Sequence, residues 1–146
     1  MLNATMIKHI DIKSTIKNVN ALLKRYNYLI RVLPERTMPK ITQSYNSMPA
    51  STVRSLNAIE RSAYENLKRE KLIEERNQLK ELLFEIVEQL NEDEKYIIIN
   101  KFLSDNETSD YDIYYDLCIG KTKYYQLKKE ALLKLALLLG LEIYKE

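Results

Sequence analysis

The chain has 146 residues, of which 45% are apolar and 30% charged, and its formal net charge is +2. It contains no run of about 18 apolar residues, so no membrane span is expected, and its N-terminus lacks the apolar segment of a secretory signal. The single cysteine, Cys118, excludes an intramolecular disulfide and is typical of a reducing cytoplasm. Two glycines and three prolines are too few for a loop-rich fold, so the composition predicts an all-α protein.

The first predicted helix carries a regular apolar seam. Apolar residues recur from Ile12 to Leu33 at alternating steps of four and three, the pattern of a helix that packs against a second helix. The partner belongs either to the same chain or to a second copy, and the second alternative makes a dimer seam of Ile12, Ile16, Val19, Leu23, Tyr26 and Ile30. The cations between these positions are expected to be solvated, although they also suit a DNA backbone: Lys13, Lys17, Lys24, Arg25 and Arg31.

Pro34 ends this helix, because proline has no N–H to donate and disfavours helix in the residue before it. All three prolines fall in the loop 34–50, which is unusually long for structureless chain inside a compact domain. We expect Ile41, Tyr45 and Met48 to pin this loop to neighbouring helices.

The next helix is predicted as one long helix from about Thr52 to Leu90. Its two apolar stripes fall out of phase around 66–70, which leaves a bend or break there as the alternative. So long a helix projects beyond a small globule, which favours a helical hairpin with the first helix, or a coiled coil. Residues 1–90 are therefore predicted to form an N-terminal helical arm.

Three further helices are predicted in residues 91–146, the C-terminal domain. Asn91 caps the first of them, which is apolar on most sides and is followed by a polar loop. Ser109 and Asp112 then have the spacing of a capping box, and Gly120 stands at the N-cap of the last helix. A short helix, a turn of about four residues and a longer basic helix make a helix-turn-helix unit.

The last helix has apolar residues at steps of three and four on one side and mostly cationic residues on the other. Near the N-terminus of a helix that enters the major groove, such side chains reach base edges. The candidate base-reading residues are Lys121, Thr122, Lys123 and Gln126, and those placed to hold the DNA backbone are Tyr125, Lys128 and Lys129. The alternative is a bundle helix with a solvated lysine face. Cys118, in the turn, is expected to be a small buried residue.

Positive charge is concentrated in two places. Residues 1–40 hold eight lysines and arginines against two acids, and five of the seven lysines in residues 96–146 lie between Lys121 and Lys134. Such separation can steer a protein to phosphate without a large total charge.

The segments SDYDIYYDL and YYQLKKEALLKLALLLGLEIYK resemble the C-terminal signature of the ArpU family, Gram-positive phage regulators of late transcription. That signature is similar to region four of bacterial sigma factors. The upstream segments LNEDEKYIIINKFL and SYNSMPAS also resemble family segments. The chain departs from the family at Gly120, where Ser is commoner, and at Gln126, where Arg is commoner. Since Gln pairs with adenine and Arg with guanine, the operator sequence does not carry over.

The resemblance implies a helix-turn-helix of the sigma region four type, contact with RNA polymerase, and activation of phage or prophage late genes in the cytoplasm of a bacterial host. Together with the residues, it predicts a sequence-specific transcription regulator that binds double-stranded DNA as a homodimer and uses no cofactor. The alternative is a non-catalytic helical adaptor that binds another protein through its N-terminal helices. A regulatory protein docked on that arm is compatible with both.

No catalytic constellation is visible in the sequence. His9 is the single histidine, so it can form neither a catalytic triad with a second base nor a two-histidine metal site. We therefore expect neither an enzyme nor a metal protein.

Overall fold

The computed structural model of the chain describes residues 8–33 and 52–146. Regular structure in these ranges is helical, which confirms the all-α prediction: α1 (Ile12–Val32), α2 (Thr52–Val87), α3 (Glu92–Ile98), α4 (Asp110–Asp116) and α5 (Lys121–Leu139). A π-helical turn, Ile99–Leu103, extends α3. The predicted loop 34–50, with Ile41, Tyr45 and Met48, lies outside the described residues.

Local capping explains where the helices begin. Asp11, Asn91 and Ser109 each accept a hydrogen bond from the N–H three residues later, at 3.2, 2.8 and 3.2 Å. Gly120 precedes α5 as its N-cap without a side-chain bond, and Gly140 ends α5 in the left-handed region at φ 72°. The caps predicted at Asn91, Ser109 and Gly120 are confirmed, as is the helix end at Gly140.

One apolar core joins four of the helices. The seam of α1 points into it through Val19, Leu23 and Tyr26, which are almost completely buried. The other buried members come from the end of α2, from α3 with its π-helical turn, and from α5: Leu83, Ile86, Val87, Leu90, Ile98, Leu103, Ala131, Leu132, Leu135 and Ala136. The seam of α1 therefore finds its partners within its own chain.

The division into residues 1–90 and 91–146 stays a prediction. Within the described ranges, α1 and the last turns of α2 share this core with α3 and α5. The helical hairpin expected between the first two helices is thus part of a larger cluster, because α1 packs against α5 as well as against α2.

The helix α2 has 36 residues and runs as one helix, as predicted, without a break around residues 66–70. At 1.5 Å per residue it is about 54 Å long. Every residue from 57 to 70 is exposed, whereas Leu83, Ile86 and Val87 at its other end are buried. The N-terminal half of α2 therefore extends away from the core, and we call residues 57–70 the projecting half.

The end of the chain pairs with the segment before α1. The Asp11 N–H donates to the Ile143 carbonyl and the Lys145 N–H to the His9 carbonyl, both at 2.7 Å. The Ile143 N–H donates in turn to the Thr15 hydroxyl at 2.9 Å. These bonds hold the start of α1 beside the end of α5, so the two helices run antiparallel. They also bury Ile10, which the sequence pattern did not mark as a core residue.

An ion pair between a partly exposed lysine and a buried carboxylate connects α5 to α3. Glu94 is fully buried, and one of its carboxylate oxygens lies 2.7 Å from Lys134 Nζ. Removing one partner of such a pair would leave a charge without compensation in the core, which is costly. Lys134 therefore serves the fold, unlike the lysines nearer the start of α5.

Candidate nucleic-acid interface

The first turns of α5 present polar side chains to solvent. All four candidate base-reading residues are exposed: Lys121, Thr122, Lys123 and Gln126. Lys129 is exposed as well. The opposite side of the same turns is closed by Tyr124, which is fully buried against Ile97 and Ile113. A single helix thus has a sealed side and a free, cationic side.

The N-terminal end of α5 is electropositive beyond its lysines. It has neither a side-chain cap nor an acidic residue in its first turn. The first N–H groups of a helix have no intrahelical partner, and the positive end of the helix dipole coincides here with Lys121 and Lys123. The lysine charges and the positive end of the dipole repel one another, so binding of an anion at the start of α5 is favoured.

Asp110, the first residue of α4, ties α4 to α5. Its carboxylate accepts a hydrogen bond from the Tyr124 hydroxyl and lies 3.3 Å from Lys128 Nζ and 3.6 Å from Lys101 Nζ. Burial alone would raise the pKa of Asp110, but the Tyr124 hydrogen bond and the two ammonium charges lower it below its ordinary value. Burial and the same hydrogen bond raise the pKa of Tyr124, which stays neutral.

Lys128 is more enclosed than a free phosphate-binding lysine. Its side chain is 19% exposed, and its Nζ lies 5.7 to 6.0 Å from the ring centres of Phe102, Tyr124 and Tyr125. The ammonium group of Lys128 therefore interacts with the Asp110 carboxylate and with three aromatic rings. Of the two lysines predicted to hold the DNA backbone, Lys129 is the one that is exposed.

Tyrosine rings fix the rim of the cationic side. The Tyr125 ring meets the buried Tyr124 ring edge-on, with 5.1 Å between centres, and Tyr114 of α4 lies 5.6 Å from Tyr124. Tyr125 remains 43% exposed, as predicted for a residue at the edge of the apolar side. Tyr125 thus lies at the rim of the apolar side and next in sequence to the exposed Gln126.

The turn between α4 and α5 differs from expectation at Cys118. This residue was predicted to be small and buried, and that prediction is wrong: Cys118 is exposed and adopts φ 57°. The turn passes through the left-handed region at this position, which directs the side chain outward. Only the three-dimensional path of the turn determines that conformation, because cysteine has no particular preference for it.

The candidate dimer seam faces the inside of the chain. Val19, Leu23 and Tyr26 are buried in the main core, and the other three members are half-buried: Ile12, Ile16 and Ile30. Of the two alternatives for this seam, the intramolecular contact is the one present in the described ranges. A homodimer would require a different surface.

Neither metal ligation nor membrane insertion is indicated in the described ranges. No group of three or more histidine, cysteine or acidic side chains there is arranged to hold a metal ion. Within the same ranges no helix is both long enough and apolar enough to cross a lipid bilayer.

Asp110 is the interface residue that the sequence pattern did not predict. It lies fourteen residues before its partner Tyr124, so no local spacing relates the two. An acidic residue at the start of a helix is also ordinary, because it favours the helix dipole. The sequence therefore indicated only weakly that Asp110 belongs to the interface.

Among known proteins, the chain is similar to an uncharacterized phage-related protein of Listeria innocua serovar 6a. The two are 28% identical over 132 residues, a stretch that covers 90% of each. No family model matches the chain, and no solved structure matches it. The similarity links nearly the whole chain to a phage-related protein, while membership of the ArpU family stays a prediction.

Proposed function

We propose that the protein is a sequence-specific DNA-binding transcription regulator, an activator of phage or prophage late genes that works in the cytoplasm of a bacterial host. In this proposal α4 and α5 are a helix-turn-helix of the sigma region four type, and α5 enters the major groove. The observation that carries the proposal is the two-sided start of α5, where Lys121, Lys123 and Gln126 are exposed and Tyr124 is sealed inside. Similarity to a phage-related protein supports the phage context.

The exposed residues divide into two roles. Lysine donates to guanine acceptors and glutamine pairs with adenine, so Lys121, Lys123 and Gln126 suit base edges, and Thr122 suits a phosphate or the thymine methyl. Tyr125, Lys128 and Lys129 flank them and suit the sugar-phosphate backbone. The role of Lys128 includes holding Asp110, so its phosphate contact is the weakest of the three.

The remaining parts of the proposal concern partners. The resemblance to sigma region four suggests contact with RNA polymerase near the promoter. A homodimer would bind two half-sites about one helical turn apart. We propose no catalytic activity and no cofactor.

Two variants test the assignment of the reading helix. We expect Lys123→Ala combined with Gln126→Ala to abolish discrimination among duplexes selected from a random pool, because base contacts carry sequence preference. Lys129→Ala should instead weaken binding to all duplexes alike. It should also make the slope of log affinity against log salt shallower by about 0.9. Fluorescence anisotropy at several salt concentrations measures both. If the double variant kept the sequence preference of the wild type, α5 would not be the reading helix.

The projecting half of α2 favours a second candidate, a helical adaptor that binds another protein. It exposes three large apolar side chains, Ile59, Tyr64 and Leu67, by 63%, 61% and 56%. Ile59 and Leu67 lie about two helical turns apart on one face, and exposed apolar residues at such spacing suit a partner helix. The same salt titration separates the two candidates, because an adaptor without phosphate contacts has no steep salt-dependent affinity for duplex DNA.

A further inference from the structure

The helix α1 carries a second stripe beside its apolar seam. Each seam residue is followed in sequence by a polar one, so the same four-three spacing repeats about 100° around the helix. This polar set, which we call the basic stripe, consists of Lys13, Lys17, Asn20, Lys24, Asn27 and Arg31. The 21 residues of α1 include five lysines and arginines and no acid. Because α1 has no carboxylate of its own to offset these charges, its stripe attracts anions.

The basic stripe lines two shallow grooves that meet. One groove runs along the first half of α1 between Lys13 and Lys24. The other, of about 460 Å³, lies between the second half of α1, the π-helical turn and α5, and reaches Arg31 and Lys128. Asn20 and Lys24 line both grooves, so the stripe is continuous from one end of α1 to the other.

Lys128 links the stripe to the start of α5. It lines the second groove together with Lys24, and its Nζ also lies 5.8 Å from the ring centre of the exposed Tyr125. Since α1 and α5 are antiparallel, the Lys24 end of the stripe lies nearer to this linking residue than the Lys13 end does. A polar surface therefore leads from Tyr125 past Lys128 onto α1.

Three lysines of the stripe carry charge that the fold does not use. Lys13, Lys17 and Lys24 are exposed and form no ion pair with any described residue. The fourth cation, Arg31, lies 3.7 Å from Glu107, a carboxylate that also pairs with Lys101 at 3.0 Å. Glu107 is thus already neutralised, and it does not cancel the charge of the three free lysines.

We propose that the basic stripe of α1 binds the phosphate backbone of DNA next to the bases contacted by α5. This inference rests on the proposed function and extends the DNA interface from one helix to two. The three free lysines are one and two helical turns apart, or about 6 and 10 Å along the axis. Phosphates of one strand follow one another every 3.4 Å or so along the duplex axis, so the three lysines would meet every second or third phosphate.

The test is a salt titration with a variant that removes two lysines. We expect Lys17→Ala combined with Lys24→Ala to make the slope of log affinity against log salt shallower by about 1.8, because each lost phosphate contact removes about 0.9. Between 50 mM and 200 mM salt the variant should therefore lose about tenfold less affinity than the wild type, with the preference among sequences unchanged. The probe is a fluorescein-labelled 40-base-pair duplex recovered from a random pool by the wild-type protein.

Two further variants control this experiment. Lys68→Ala combined with Lys71→Ala removes the same charge from α2, outside the stripe, and should leave the slope unchanged. Lys17→Arg combined with Lys24→Arg keeps the charge and should restore the wild-type slope. All of these side chains are exposed, so unfolding curves should coincide with those of the wild type.

The outcomes separate this inference from the proposed function. A wild-type protein that binds no duplex would overturn both. If the wild type binds and Lys123→Ala with Gln126→Ala loses sequence preference, but the Lys17 and Lys24 variant keeps the wild-type slope, only the role of the stripe is overturned. An equal loss of slope in the α2 control would also overturn it, because the effect would then come from net charge.

Discussion

The helices α2 and α5 each have one end in the core and one end in solvent, but their exposed ends differ in chemistry. Between residues 121 and 130 of α5 only Tyr124 is buried, and the exposed side chains are polar or cationic apart from the Tyr125 rim. The projecting half of α2 mixes charged residues with exposed large apolar side chains, among them Ile59 and Leu67. The exposed end of α5 stays packed on the body of the protein through Tyr124, whereas the projecting half of α2 extends away from it.

This difference shows that exposed charged side chains and exposed apolar side chains suit different kinds of partner. Exposed lysines are well hydrated, and they become useful when an anion displaces water and counterions. An exposed leucine gains about 1.5–3 kcal/mol when it is buried, so it is useful when another apolar surface covers it. The exposed end of α5 therefore suits a nucleic acid, and that of α2 suits a protein.

The largest effect is expected where α2 enters the core. Leu83 is fully buried, so Leu83→Ala should lower the free energy of unfolding by about 2–5 kcal/mol through lost burial and the cavity left behind. Leu67→Ala, the same change in the projecting half, should alter it by less than about 0.5 kcal/mol. Urea unfolding measures both. Equal losses would mean that the projecting half is covered in solution, and the comparison between the two ends of α2 would fail.

A smaller effect is expected at Asp110, which ties α4 to α5. Asp110→Asn should lower the free energy of unfolding at pH 7 by about 1 kcal/mol, because a partly exposed charged hydrogen-bond partner of Tyr124 and Lys128 is lost. The pKa of Asp110 is lowered in the folded state, so its contribution is present above the ordinary value of 3.8 and is lost as the pH falls through the folded value.

Unfolding curves at pH 7, 5 and 3 check this prediction. The difference between the wild type and Asp110→Asn should shrink between pH 5 and pH 3, because the unfolded state takes up the proton first as the pH falls below 3.8. Asp105→Asn, a change at an exposed residue of the preceding loop, is the control and should show little difference at any pH. A difference that grew as the pH fell would contradict the assigned direction of the pKa.

The smallest effect is expected in the turn before α5. Cys118 adopts a left-handed conformation that costs a residue with a Cβ about 1 kcal/mol, and glycine avoids this cost. Cys118→Gly should therefore raise the melting temperature slightly, while Cys118→Val, which is β-branched, should lower it. Calorimetry distinguishes the two. A lower melting temperature for the glycine variant would show that Cys118 contributes more than its backbone conformation.

Much of the fold followed from local signals in the sequence. The caps at Asn91 and Ser109 and the end of α5 at Gly140 act through hydrogen bonds and dihedral preferences that involve only a few residues. The outward cationic side of α5 followed from helical periodicity, since polar residues at steps of three and four share a face. The single long helix predicted from Thr52 is present as Thr52–Val87, because a change of phase between stripes weakens packing without breaking backbone hydrogen bonds.

The sequence by itself determined the helices, most of their ends and the polarity of each helix face, because these depend on neighbours in the chain. Only the tertiary structure decided which faces meet: the α1 seam against α2 and α5 of the same chain, Asp110 against Tyr124, and Glu94 against Lys134. The physical reason is that apolar burial is not directional, so a seam accepts any complementary surface. Which surface it receives depends on contacts between residues far apart in sequence.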